Sequence, residues 1–145
     1  MPDEKRIASP HKARRVALQS LYWLESQPWD ELRATITAVA DEFELPQASR
    51  QFSYRLAHTA IARRNDYDRE LTDSAENWDP DRIGRLEHLI VALALAEWDS
   101  DDFNTPPKVV LNEALTLAGE FLGEEGVQFI NGVLDRLGKQ RGVLA

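Results

Sequence analysis

The chain has 145 residues, 43% hydrophobic and 29% charged, with a formal net charge of −8 and no cysteine. That length holds one domain with a real core, the composition is globular, and thiol catalysis, disulfides and zinc–cysteine sites are excluded. No apolar run approaches the ~18 residues of a membrane span, and the opening MPDEKRIASPHK lacks the apolar region of a secretory signal, so a cytoplasmic protein without membrane contact is expected.

Residues 1–8 read as a flexible N-terminal tail. Ser9-Pro10 supplies an N-cap and a first helical position, and a helix is expected from there to about Gln27, where Pro28 stops it. This stretch is basic. Lys5, Arg6, Lys12, Arg14 and Arg15 fall within residues 5–15 with no acid among them. Taking that +5 out of −8 leaves −13 on the rest of the chain. A basic patch on an acidic body points to one defined anionic contact. Projected at about 100° per residue, Ala13, Ala17, Leu21 and Leu24 form a core stripe flanked by Leu18 and Ser20. Lys12, Arg15, Gln19 and Trp23 lie opposite, with His11 and Tyr22 at the edge. Arg14 falls near the core boundary, with a stem long enough to reach out. Cations interleaved with an amide and aromatic rings suit single-stranded RNA, because they neutralise phosphates and offer faces to unstacked bases. The plainer alternative is a solvated basic face with rim aromatics. Cations in a first helical turn oppose the macrodipole, which a bound anion would offset.

A second helix is expected from about Asp30 to just before Leu45-Pro46. Pro46 opens a third segment through Phe52, Leu56, Ile61, Tyr67 and Leu71, broken once into two helices. Asp79-Pro80 is a further start, with Trp78 and Ile83 spaced for a hydrophobic staple. That helix carries Ile83, Leu86, Leu89, Ile90, Leu93 and Leu95 and is expected to be the central buried one. After the polar loop DSDDFNT, Thr105-Pro106 starts a helix ending at Phe121-Leu122-Gly123. The last helix is expected to stop near Gly138, with residues 139–145 a flexible tail. No β-alternation of useful length occurs. The expected fold is all-α, a single-domain bundle of about six to seven helices spanning residues 9–138.

The last helix poses a puzzle. FINGVLDRL contains Asn131-Gly132, a hairpin dipeptide. Yet Val127, Ile130, Val133, Leu134 and Leu137 recur at helical spacing. A mid-helix glycine costs roughly 1 kcal/mol. Gly132 projects to the polar side, about 60° from Phe129, where it either leaves a notch for a contacting backbone or nucleotide or merely avoids a clash.

Catalytic and metal motifs are missing. His11, His58 and His88 have no partner at metal or triad spacing, and His58 in its Ala-rich helix reads as structural. Asp99-Ser100-Asp101-Asp102 begins like a calcium loop but fails at Phe103, Asn104 and Val110. There is no P-loop, GxGxxG or GxSxG. Neither an enzyme nor a cofactor is expected.

Three stretches together resemble the bacterial NusB family of transcription antitermination factors. His11-Lys12-Ala13-Arg14-Arg15-Val16-Ala17-Leu18-Gln19-Ser20-Leu21-Tyr22 is similar to the family's R-R-x-A-R-x-x-A-[LV]-Q-A-L-Y. Pro106-Pro107-Lys108-Val109-Val110-Leu111-Asn112-Glu113-Ala114 is similar to P-x-K-V-A-I-N-E-A. Phe129-Ile130-Asn131-Gly132-Val133-Leu134-Asp135 is similar to F-V-N-G-V-L-D. Asp68, Trp78 and Glu97 also match family positions. The resemblance implies an all-helical domain of two packed halves and no enzymatic activity. It implies a heterodimer with the ribosomal small-subunit protein NusE, binding the boxA element of RNA within the RNA polymerase antitermination complex. Carried over, the RNA side would be His11, Lys12, Arg14 and Tyr22, to which the helical face adds Arg15 and Gln19. Glu87, Phe121, Glu125 and Phe129 would lie on the partner or RNA surface, with Gly132 beside them. The chain departs from the family where His11 and Lys12 replace arginines, where Arg15 replaces a frequent Glu, and at His58, Ala92 and Ala96. The departures at Ala92 and Ala96 and the acidic body leave a second reading, a protein-only helical adaptor, and a third is a helical RNA-binding module of the kind fused to some RNA methyltransferases, serving a separate RNA-modifying enzyme. Trp23, Trp29 and Trp98 leave room for a homodimer.

Overall fold

The computed structural model describes residues 10–26 and 29–145. Ser9, Gln27, Pro28 and the expected N-terminal tail lie outside the described residues, as does the Trp29 side chain. Seven α-helices are present among the described residues, with no strand: α1 (Pro10–Trp23), α2 (Leu32–Glu42), α3 (Gln47–Ala62), α4 (Arg64–Ser74), α5 (Arg85–Asp99), α6 (Pro107–Phe121) and α7 (Gly123–Gln140). α1, α2 and α3 pack on one another as one half; α4, α6 and α7 pack around α5 as the other. α1 and α3 both meet α5 across the middle. This is the all-α bundle of two halves that the sequence implied.

α5 is the hub because it is apolar on every side. Leu89 through Glu97 are all buried, the pattern of a helix enclosed all round. Ala92 and Ala96 are fully enclosed here, so these two departures from the family pattern belong to the core and not to the surface. The stripe of α1 is buried as projected, from Ala13 to Leu24.

Several ends differ from expectation. α1 gives way after Trp23 to a 3-10 turn, Leu24–Ser26. Asp79-Pro80 opens only the 3-10 turn Pro80–Arg82, where the Asp79 carboxylate accepts from the Asp81 N–H at 3.0 Å. The helix proper begins at Arg85, because the Glu87 carboxylate reaches back to the Gly84 N–H at 2.7 Å and caps the new start. Trp78 sets its ring edge-on to Phe129, with centroids 4.7 Å apart.

The last helix passes through Gly138 and ends two residues later. Gly142 (φ 71°) donates to the Lys139 carbonyl, and Val143 to that of Gly138. Those two bonds make a Schellman stop that glycine adopts without strain. Residues 139–145 are therefore not a free tail. Arg141 grips Glu70 at 2.8 Å and Asp99 at 2.7 Å, pinning the C-terminus to α4 and α5. Partial burial pushes the Asp99 carboxyl up, but hydrogen bonds and charge from Arg141 outweigh it and hold it below the usual range.

Two glycines of α7 make opposite predictions. A Cβ on Gly132 would meet nothing within 4 Å, whereas one on Gly126 would collide with Leu122 Cβ, which cannot rotate away. Gly132→Ala is expected to stabilise the free protein by about 0.5–1 kcal/mol. Gly126→Ala is expected to destabilise it by about 1–3 kcal/mol through overpacking. Urea midpoints of the two variants read this directly.

Candidate nucleic-acid interface

The outward face of α1 presents the cations and rings in order. Lys12 is exposed and has no ion-pair partner among the described residues. Arg15 is half-buried. Its guanidinium lies 5.3 Å from the Phe43 ring centroid and 5.5 Å from that of Phe121, with Glu120 at 3.5 Å. These contacts hold the arginine in place while part of it still faces solvent. One and two turns on, Gln19, Tyr22 and Trp23 line a groove of about 750 Å³ against Ala38, Leu86 and Phe121. Tyr22 is 43% exposed and Trp23 69%. Two adjacent open rings beside an apolar groove form a contiguous patch, the kind of surface that suits a partner. Arg15 Nε and Gln19 Oε1 are shielded from solvent with no hydrogen-bond partner among the described residues.

Arg14 is the main correction to the expected RNA contacts. It turns inward instead of reaching out. Its Nε and Nη2 donate to the two Glu97 carboxylate oxygens at 2.9 and 2.6 Å, and its guanidinium sits 5.2 Å from the Phe52 centroid. Both side chains are buried, at 7% and 2% exposure. This bidentate pair ties α1 to α5 and is part of the scaffold.

His11 is also engaged. Nδ1 lies 2.9 Å from Glu113 and Nε2 2.5 Å from Glu120, both on α6. Two carboxylates can accept from both ring nitrogens only if the ring is an imidazolium, since neutral imidazole has one N–H. Partial burial pulls the His11 pKa down, but hydrogen bonds and charge from Glu113 and Glu120 outweigh it, and the pKa is raised above 6.5. A raised folded-state value gives stability that is fully present below pH 6.5 and fades as pH rises through the folded value. Denaturation midpoints measured from pH 6 upward should fall in the native chain and flatten in His11→Gln. An equal slope in both would remove His11 as the cause.

A second groove, also about 750 Å³, collects Glu87, Glu125 and Phe129 with Trp78, Arg82 and Leu122. Three of the expected surface residues are thus neighbours. Phe129 is only 5% exposed, its ring against Trp78, and the Glu87 carboxylate is committed to capping α5. Phe121 belongs instead to the α1 groove, and Gly132 lines neither groove, although its position is open, with nothing within 4 Å of an added Cβ. The two grooves adjoin through consecutive residues, Leu86 with Glu87 and Phe121 with Leu122.

The other expected positions sort simply. His58 is exposed and stacks on Tyr54 at 5.8 Å. Asp68 accepts from Arg64 and from His88 Nδ1, joining α4 to α5. Trp98 donates its indole N–H to the Pro107 carbonyl. Arg85, which the sequence did not single out, lies 4.4 Å over the Tyr22 ring. Nothing local in the sequence signals that pair, because the two residues meet only through the docking of α1 on α5.

A family model described as the NusB family matches residues 11–139. The transcription antitermination protein NusB of Koribacter versatilis is 33% identical over 93% of this chain and 92% of that protein. The solved structure of T. maritima NusB matches at a TM-score of 0.78 and 20% identity, over 93% of this chain and 94% of that one. A solved complex of the antitermination factors NusB and NusE with double-stranded RNA contains a chain matching at TM-score 0.73 and 23% identity, covering 90% of this chain and 96% of that one. The family motifs, the two-halved bundle and these matches agree: the chain belongs to the NusB family.

Proposed function

We propose that this protein is a transcription antitermination factor that binds boxA-type single-stranded RNA as a heterodimer with a NusE-like ribosomal protein, through the exposed face of α1 and the grooves beside it. The observation that carries the reading is the face of α1 on which Lys12, Tyr22 and Trp23 are exposed, with Arg15 and Gln19 half-buried between them, on a chain whose net charge is −8. Phosphates meet Lys12 and Arg15, bases stack on Tyr22 and Trp23, and Gln19 supplies a hydrogen-bonding amide. Membership of the NusB family, whose relatives are named as antitermination proteins, supports the same role, as does the matching NusB chain solved beside NusE and RNA.

The role is one of binding, with no chemical step, in the cytoplasm where RNA polymerase works. His11 contributes by offsetting part of the charge of Glu113 and Glu120 beside the RNA face, and not by meeting phosphate itself. The protein-only adaptor loses one of its motives, because Ala92 and Ala96 are buried. Mixing the chain with its NusE-like partner and a boxA RNA, then sizing the mixture, tests the proposal. A ternary species larger than either pair is expected. A partner complex that excludes RNA would favour the adaptor.

A further inference from the structure

We infer that Arg85 is an RNA-contacting residue, bridging the two grooves into one track for a single RNA strand. This rests on the RNA-binding reading above and adds a residue to it.

Two observations point to Arg85 independently. The first is its place. It lies between Gly84 and Leu86 at the start of α5, and its guanidinium sits 4.4 Å from the centroid of Tyr22, one of the two open rings of the α1 face. Leu86 lines the α1 groove, while Ile83 and Glu87 line the Trp78–Phe129 groove. A strand passing from one to the other crosses the Arg85–Tyr22 pair.

The second is its electrostatics. Arg85 is the first residue of α5, where a cation opposes the helix dipole. The Glu87 carboxylate, bonded to the Gly84 N–H, offsets part of this at the helix start but makes no ion pair with Arg85. Arg85 is exposed and has no ion-pair partner among the described residues, and neither has Arg82 in the second groove. Most arginines of this acidic protein are paired with carboxylates. Among the described residues Lys12, Arg85 and Arg82 lack such a partner, as do Arg33, Arg55, Lys108 and Arg136, and the first three fall on the α1 face, the crossing and the second groove.

The pair has the chemistry for one nucleotide. A guanidinium resting on a ring is planar, fixed in orientation and able to donate to phosphate from its edge. Tyr22 is held by it in a set position for stacking a base. A lysine at residue 85 would keep the charge but lose the planar stack.

The test uses the full chain with its NusE-like partner and a single-stranded boxA RNA of about a dozen nucleotides, titrated over a range of salt. Arg85→Ala is expected to lower affinity at least about five-fold and to reduce the log–log salt slope by about 0.7, the share of one phosphate on a single strand. Arg85→Lys is expected to keep the slope and lose part of the affinity. Arg85→Ala and Tyr22→Ala made together should lose less than the product of the single losses. Circular dichroism of each variant establishes that it is folded. Wild-type affinity and slope in Arg85→Ala would overturn the inference while leaving the RNA-binding reading intact. Loss of partner binding in the absence of RNA, with an unchanged slope, would overturn it in favour of a protein contact. If the native complex itself takes up no RNA, both readings fall.

Discussion

Glu97→Leu is expected to cost about 3–5 kcal/mol of folding stability, and adding Arg14→Met to recover most of that loss. Both groups are buried and bonded to each other twice, at 2.9 and 2.6 Å. Removing only the carboxylate strands a guanidinium in the core, whereas removing both leaves an apolar contact of similar volume. Glu113, 3.9 Å from Arg14 Nη1, offsets only part of the stranded charge. Urea midpoints of the single and double variants measure the difference. The double variant carries a second consequence for function. Because Arg14 faces inward, its loss should leave the salt dependence of RNA binding unchanged. A slope lower by one cation's share would return Arg14 to the RNA surface.

Tyr22→Ala and Lys12→Ala are expected to weaken RNA binding in distinguishable ways. Tyr22 offers a ring 43% open to solvent. Losing one stacked base costs about 1–3 kcal/mol, roughly 5- to 150-fold in affinity. That loss should be similar at every salt concentration. Lys12 is an exposed point charge at the start of the same face, with no ion-pair partner among the described residues. Its loss should reduce the salt slope by about 0.7 and matter less as salt rises. Arg15 is unsuitable as the first test, because its contacts with Phe43, Phe121 and Glu120 tie it to packing as well as to charge. Titrations of both variants across a salt series separate the two. Identical slopes and affinities in Lys12→Ala and the native chain would remove the first turn of α1 from the site.

The bundle was legible because its signals are local. The apolar positions of α1 and α7 repeat at helical spacing, α5 is a continuous apolar run, and prolines and glycines punctuate the chain near the observed ends. The misplaced start of α5 shows where local rules compete: Asp79-Pro80 is a real cap, but Gly84 and Glu87 form a second one five residues on, and only the second precedes an unbroken apolar helix. The site was legible as a face and not as a set of contacts. Projection gave the open side of α1 correctly. The inward turn of Arg14 depends on Glu97, 83 residues away. The clamp on His11 depends on carboxylates 102 and 109 residues away. Helical periodicity reports which side of a helix a residue occupies, but not which charge waits on the neighbouring helix. Glu113 and Glu120 stand two turns apart on one side of α6, a spacing that marks a shared face but not the residue it meets.

The most direct measurement is the affinity of the full chain for a boxA-type RNA, with and without its NusE-like partner, at matched salt. The α1 face is a small cationic patch on a body of opposite sign, so the chain alone meets long-range repulsion from a polyanion. A heterodimer enlarges the contact. The expected result is weak, salt-sensitive binding by the chain alone and at least about ten-fold tighter binding by the pair, a gain of about 1.4 kcal/mol. Equal affinity with and without the partner, or no RNA binding by the pair, would contradict it.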